Sequence, residues 1–138
     1  MIQSCVLLGT LGVHSIEDVR DKKITVTLTL FSGIVGVFLH LIFPGQSIFE
    51  MLTGMLAGAG VLLLGRLTGG KIGAGDGIVF MLTGLYLGAA RNILLMCISF
   101  ALAGLWGMFL LIFRRAKKDC RIPFVPFLFA GYLLMIIR

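Results

Sequence analysis

The chain has 138 residues, of which 59% are hydrophobic and 13% are charged, and its formal net charge at pH 7 is +6. Soluble domains are roughly half apolar and a quarter charged, so this composition, with a mean hydropathy of +1.09, excludes an ordinary water-soluble fold and predicts a single membrane domain over residues 1–138. The basic residues lie in short clusters between apolar runs, which argues against nucleic-acid binding and is typical of loops that set membrane topology.

Apolar runs of about the length that crosses a bilayer, roughly 17 to 25 residues, follow one another along the chain. They predict an all-α, polytopic membrane protein with about six transmembrane helices. The fourth run is short, so its helix either begins before Asp76 or is tilted or partly buried beneath its neighbours. The spans are expected near Ile2–Glu17, Ile24–Phe43, Ile48–Gly65, Gly77–Ala90, Asn92–Phe113 and Ile122–Ile137.

Basic residues follow the first, third and fifth predicted spans, whereas the loops after the second and fourth spans carry no charge except Arg91. The positive-inside rule therefore places three loops in the cytoplasm and both chain ends on the other side. The basic residues of these loops are Arg20, Lys22, Lys23, Arg66, Lys71, Arg114, Arg115, Lys117, Lys118 and Arg121.

Small residues four positions apart allow helix backbones to approach closely in lipid, and the chain has 19 glycines. We expect Gly54 with Gly58, and Gly84 with Gly88, to lie at helix contacts. The three cysteines form no C-x-x-C pair, and the two histidines fall in different apolar segments, where a packed or interfacial role is expected. Neither a metal site nor a cofactor is predicted.

Asp18 falls at the end of the first predicted span, where the helix dipole disfavours a carboxylate. From position alone, a solvated charge at the membrane interface and a functional acid are equally good interpretations. Acids in membrane helices are costly and often functional.

Asp76 lies in a glycine-rich turn that leads into the fourth span, with Gly73 and Gly75 before it and Lys71 further ahead. An Asp in this place is a good N-cap for the helix. Capping does not require several glycines around the carboxylate, whereas a loop that an extended peptide must approach closely does. A catalytic role and an N-cap are the two alternatives here.

The predicted topology puts Asp18 and Asp76 on one membrane face, where the two side chains can meet. Two apposed carboxylates repel each other and retain one proton between them. The ionised member can then deprotonate a water while the protonated member polarises a peptide carbonyl, with no metal and no covalent intermediate. This chemistry predicts an aspartic-type endopeptidase.

Three segments of the chain resemble the type IV prepilin peptidase family, which includes the archaeal preflagellin peptidases. Residues 18–24 resemble an Asp followed by a basic stretch and Ile-Pro, residues 73–76 match the G-x-G-D signature with Lys71 ahead of it, and residues 122–127 resemble I-P-F-x-P-F. The resemblance implies that Asp18 and Asp76 are catalytic and that Gly73, Gly75 and Lys71 support the motif. Thr25 stands where the first segment usually has Pro, and residues 77–79 replace the commoner Val-Lys-Leu.

The resemblance also implies a prepilin-like or preflagellin-like substrate, cut where a short basic leader meets a hydrophobic helix. It implies a multi-pass protein in the plasma (inner) membrane of a prokaryote, surrounded by lipid, with its active site on the cytoplasmic side. No segment for a methyltransferase activity is present, so the chain resembles the peptidase-only subgroup. A homo-oligomer is compatible with the sequence, which does not fix the oligomeric state.

Two other functions are alternatives to the peptidase. In a small proton- or cation-coupled transporter the two acids would bind the transported ion, but such a pathway needs polar residues deep in the spans, and the span interiors read as nearly uniformly apolar. A noncatalytic assembly subunit would require both aspartates to be dispensable.

Overall fold

The computed structural model describes residues 2–43, 45–69, 73–113 and 122–137, and all regular secondary structure in these ranges is α-helical. The predicted all-α class is confirmed. Lys71 and the basic loop from Arg114 to Arg121 lie outside the described residues. The helices are α1 (Ile2–Asp21), α2 (Val26–Ile42), α3 (Ile48–Leu67), α4 (Ala74–Ile112) and α5 (Val125–Ile137).

Helix α4 contains both the fourth and the fifth predicted spans, and its backbone leaves the helical region at Gly88, where φ is 74° and ψ is 175°. The rings of Phe80 and Phe100 lie 5.9 Å apart, whereas a straight helix would separate the two residues by about 30 Å. The chain therefore reverses at Gly88, and the two halves of α4 lie side by side. The sequence had placed this turn at Arg91; a glycine is needed because a side chain is strained at this positive φ.

Asn92 fixes this reversal from inside the bundle. Its side chain is fully buried and donates from Nδ2 to the carbonyl oxygens of Gly54 in α3, at 3.0 Å, and of Phe80, at 3.2 Å. Its Oδ1 accepts a 2.7 Å hydrogen bond from the Thr83 hydroxyl. One amide thus ties both halves of α4 to α3, with its donor and acceptor atoms both used.

The first half of α4 packs chiefly against α3, and glycines allow the two backbones to come close. A side chain at Gly54 would overlap the Gly84 carbonyl oxygen, and one at Gly58 would overlap the backbone of Met81. The packing role predicted for Gly54, Gly58 and Gly84 is confirmed. Gly88 also lies at this contact, because a Cβ at Gly54 would lie 2.9 Å from its carbonyl carbon, and it forms the reversal in addition.

Polar side chains pair α1 with α2 in an antiparallel register. Thr10 bonds to Ser32 through their hydroxyls at 2.9 Å, His14 to Thr29 at 2.9 Å, and Glu17 to the Thr25 hydroxyl at 2.7 Å. We call these three pairs the polar ladder. The expectation of nearly uniform apolar span interiors was wrong for α1, α2 and α4, because polar side chains are hidden among aliphatic neighbours in each of them. In α4 these are Thr83, Asn92 and Ser99. His14, which is fully buried, has the packed role that was predicted for the histidines.

Helices α3 and α4 are long and apolar enough to cross a bilayer, and α2 and α5 are shorter apolar helices. Only 22% and 11% of the most apolar stretches of α3 and α4 are buried, so neither is a hidden core helix of a soluble fold. Large apolar side chains such as Phe31, Phe49 and Leu105 are exposed on the outside of the bundle. These surfaces and the composition identify a membrane protein.

The close contact of α3 with α4 gives a test on stability. Gly58→Ala should lower the free energy of unfolding by about 1–3 kcal/mol, because the added methyl group meets backbone atoms of α4, which cannot turn aside. Thermal unfolding of detergent-solubilised protein, followed by tryptophan fluorescence, measures the effect.

Gly60→Ala is the matched control, since Gly60 lies on the same helix and has open space around it. It should leave stability unchanged or raise it by up to about 1 kcal/mol through the higher helix propensity of alanine. Equal melting temperatures for the two variants would contradict the described contact between α3 and α4.

Candidate functional site

Asp18 and Asp76 line the same cavity, which has a volume of about 610 Å³. The cavity lies where the end of α1, the connection from α1 to α2, the start of α4 and the segment before α5 meet. Its walls also include Lys22, Lys23, Ile24, Val61, Gly73, Gly75, Phe80, Phe100, Ile122, Pro123 and Phe124. The sequence motifs at residues 18–24, 73–76 and 122–124 therefore converge on one place.

Asp18 lies near the end of α1 and is only 9% exposed. Its Oδ2 accepts a 3.0 Å hydrogen bond from the backbone N–H of Val125, the first residue of α5. The first N–H groups of a helix have no partner within the helix, so Asp18 caps α5 from another part of the chain. The alternative of a freely solvated surface charge does not describe this side chain.

Asp76 is the third residue of α4 and is partly buried. The N-cap of the helix is Gly73, whose carbonyl oxygen accepts the Asp76 N–H at 3.0 Å. The interpretation of Asp76 as the N-cap is therefore wrong, because the N-cap lies three residues earlier in the chain. The helix also begins before Asp76, which is one of the two explanations offered for the short fourth run.

The glycines before Asp76 have close neighbours within the protein. A Cβ at Gly73 would lie 2.9 Å from Asp76 Oδ2, and one at Gly75 would lie 2.8 Å from Ile24 Cδ1. A side chain at Gly73 would displace the carboxylate, and one at Gly75 would push the α1–α2 connection away. These contacts give the two glycines a role in shaping the cavity itself, beside the approach of a peptide that the sequence suggested.

One wall of the cavity is aromatic. Phe124 lies 5.6 Å from Phe80 and 5.1 Å from Phe100, measured between ring centroids. Phe80 is one helical turn after Asp76, so the sequence contained a signal for its position on the same face. No such signal existed for Phe100, because its place depends on the reversal at Gly88. Lys22 and Lys23 bring positive charge to the same cavity.

Residues 77–79, which depart from the commoner family pattern, include two positions that pack inside the protein. A Cβ at Gly77 would lie 2.7 Å from Leu62 Cα, so α3 and α4 touch here. Val79 is fully buried. Within the described ranges, no group of three or more His, Cys, Asp or Glu side chains is arranged to hold a metal ion.

The geometry agrees with what the comparisons with known proteins show. The model of the type IV leader peptidase family matches residues 5–108, a range that includes both Asp18 and Asp76. No curated protein and no solved structure matches the chain. Because the family match covers well over half of the 138 residues, the chain belongs to the type IV leader peptidase family and is a protease.

Proposed function

We propose that this protein is a membrane-embedded aspartic endopeptidase that removes the basic leader of type IV prepilin-like or preflagellin-like precursors, with Asp18 and Asp76 as its catalytic pair. The observation that carries the proposal is the presence of both carboxyl groups in the wall of one cavity, although they belong to different helices. The family match over residues 5–108 supports the reaction class.

In the proposed mechanism the two carboxyl groups hold one proton between them. The ionised member removes a proton from a water, the water oxygen attacks the scissile carbonyl carbon, and the protonated member donates a hydrogen bond to the carbonyl oxygen. When the C–N bond of the tetrahedral intermediate breaks, the leaving amine takes up the proton that the base had removed from water, and the pair again holds one proton. No protein atom becomes covalently bound to the substrate.

We assign the role of the base to Asp18. Its Oδ2 already acts as a hydrogen-bond acceptor, toward the Val125 N–H at the N-terminus of α5, and the base must accept a proton. The contact also fixes the orientation of the carboxylate before the substrate arrives. Asp76, which lines the same cavity, then has the role of the acid.

The walls of the cavity suit the junction of a polar leader with an apolar helix. Phe80, Phe100 and Phe124 offer an apolar surface, while Lys22, Lys23 and the two carboxyl groups supply charged groups to the same cavity. A scissile bond at the junction would lie between these surfaces. Hydrolysis would then occur at the edge of the bilayer, where water is available.

The connections before α2, α4 and α5 all contribute residues to the cavity, so they lie at the same end of the bundle. The same loops carry the basic clusters of the sequence. We therefore place the cavity at the cytoplasmic face of the plasma (inner) membrane, with six spans and both chain ends on the other side. The transporter alternative gains no support from the family match.

The catalytic assignment predicts the behaviour of two conservative variants. Asp18→Asn and Asp76→Asn should each lower the cleavage rate by at least about 100-fold, and the double variant should be little worse than either, because residues that act as a unit are not additive. The measurement is cleavage of a model prepilin with a Lys-rich leader, a Gly at the junction and a hydrophobic helix, by purified protein in detergent.

Asp21→Asn is the control, since Asp21 is an exposed acid three residues from Asp18. It should retain a rate within about threefold of wild type, as expected for an exposed charge. EDTA and serine- or thiol-directed reagents should not change the wild-type rate under this mechanism. An Asp76→Asn rate within about tenfold of wild type, a barrier change of about 1.4 kcal/mol, would overturn the assignment.

The topology has its own test. In a variant without the native cysteines, Thr68→Cys after α3 should react with a membrane-impermeant maleimide only from the cytoplasmic side, and Gly45→Cys before α3 only from the other side. Both positions are exposed. The reverse pattern would contradict the orientation, and labelling of both positions from one side would contradict a membrane-spanning α3.

A further inference from the structure

The Glu17 carboxylate closes the connection between α1 and α2 with two hydrogen bonds to one residue. Its Oε1 accepts the Thr25 hydroxyl at 2.7 Å, and its Oε2 accepts the Thr25 backbone N–H at 3.2 Å. Thr25 is the residue immediately before α2. The carboxylate therefore binds both the backbone and the side chain of Thr25, at the point where the second helix begins.

His14 holds this carboxylate in place from the helix interior. The ring is fully buried, with Nδ1 at 3.0 Å from Glu17 Oε2 and Nε2 at 2.9 Å from the Thr29 hydroxyl. Both ring nitrogens thus have partners, one on each helix. Glu17 is oriented by a rigid, buried neighbour and does not move freely like a surface side chain.

The α1–α2 connection that Glu17 holds forms part of the proposed catalytic cavity. It supplies Lys22, Lys23 and Ile24 to the cavity wall, and Ile24 lies against Gly75, next to Asp76. Glu17 itself directly precedes Asp18. The position of the connection therefore affects both halves of the proposed catalytic pair.

This connection needs to be held, because its backbone is strained at Lys22. The φ of Lys22 is 52°, in the left-handed region, which costs a residue with a side chain of the order of 1 kcal/mol. Such a conformation persists where its surroundings fix it. The Lys22 N–H donates to the Asp18 carbonyl oxygen at 3.1 Å, which holds this conformation at the end of α1. The two hydrogen bonds from Thr25 to Glu17 hold the other end of the connection.

Thr25 has the backbone shape of a proline. Its φ is −73°, within the range of about −65 ± 15° that a pyrrolidine ring imposes. A proline at this position would fix φ covalently but could not donate its N–H to Glu17. The restraint seen here uses the carboxylate in place of the ring.

We propose that Glu17 is a positioning residue of the protease: through its paired hydrogen bonds to Thr25 it holds the α1–α2 connection, and with it Ile24 and the Asp76 turn, in register with Asp18. The proposal rests on the proposed function of the aspartate pair. Glu17 does not touch the reacting atoms and acts only through the connection.

The test is a rescue experiment with Glu17→Ala and Thr25→Pro. In the wild-type background, Glu17→Ala should lower kcat for the model prepilin by about tenfold or more, with KM within about twofold, since misplacing a catalytic group affects the chemical step. In the Thr25→Pro background the same substitution should lower kcat by less than about twofold, because the ring already fixes φ. An undiminished loss in the Thr25→Pro background would overturn the proposal.

A direct role in reading the basic leader gives a different result. In that case Glu17→Ala would raise KM for a Lys-rich leader and leave KM for an uncharged leader unchanged, and Thr25→Pro would give no rescue. This outcome would also overturn the proposal. If Thr25→Pro does not accumulate, Thr25→Val replaces it: the Glu17→Ala, Thr25→Val double variant should be no worse than Glu17→Ala alone, and additive losses would contradict the shared contact.

A readout without catalysis separates this proposal from the proposed function. Amide hydrogen exchange in peptides that cover residues 22–24 and 73–77 should be faster in Glu17→Ala and should return toward its reference level in the double variant with Thr25→Pro. Wild-type protein that cleaves no prepilin but shows this exchange pattern would refute the function and leave the restraint intact. Active wild-type protein with unchanged exchange in Glu17→Ala would refute the restraint alone.

Discussion

The hydrogen bond from the Val125 N–H to the Asp18 carboxylate joins the first helix of the protein to the last. A helix N-terminus and a buried acid each cost free energy when they have no partner, because the N–H groups lack acceptors and the carboxylate lacks water. Each satisfies the other here. The segment before α5 is thereby held next to the end of α1, and its residue Phe124 forms part of the cavity wall.

Asp76 reaches the same cavity because close packing and hydrogen bonds fix the position of α4 against α3. Gly54, Gly58 and Gly77 bring the first half of α4 against α3, and Asn92 fastens the second half beside it. Apolar surface gains little from association in lipid, so close packing and buried hydrogen bonds must hold the helices together. The same glycines that stabilise the bundle therefore determine where the turn before α4 lies.

The sequence predicted the helical class, the two aspartates and the three motifs, because apolar run length and charge are properties of neighbouring residues. It could not locate the reversal of α4, since Gly88 is one of several glycines and only the fold shows which one has a positive φ. Phe100 was missed for the same reason. The sequence does not show the role of Glu17, because its partners, His14 and Thr25, are recognisable only once α1 and α2 are paired.

The three pairs of the polar ladder differ in how exposed they are. Thr10 with Ser32 and His14 with Thr29 are buried, so these two pairs hold α1 and α2 together. The pair of Glu17 with Thr25 is the most exposed of the three and lies next to Asp18. A buried hydrogen bond is costly to break, whereas an exposed one can exchange with water. The last pair therefore contributes less to holding the helices than to fixing the backbone that follows them, and this backbone supplies Lys22, Lys23 and Ile24 to the cavity that Asp18 and Asp76 also line.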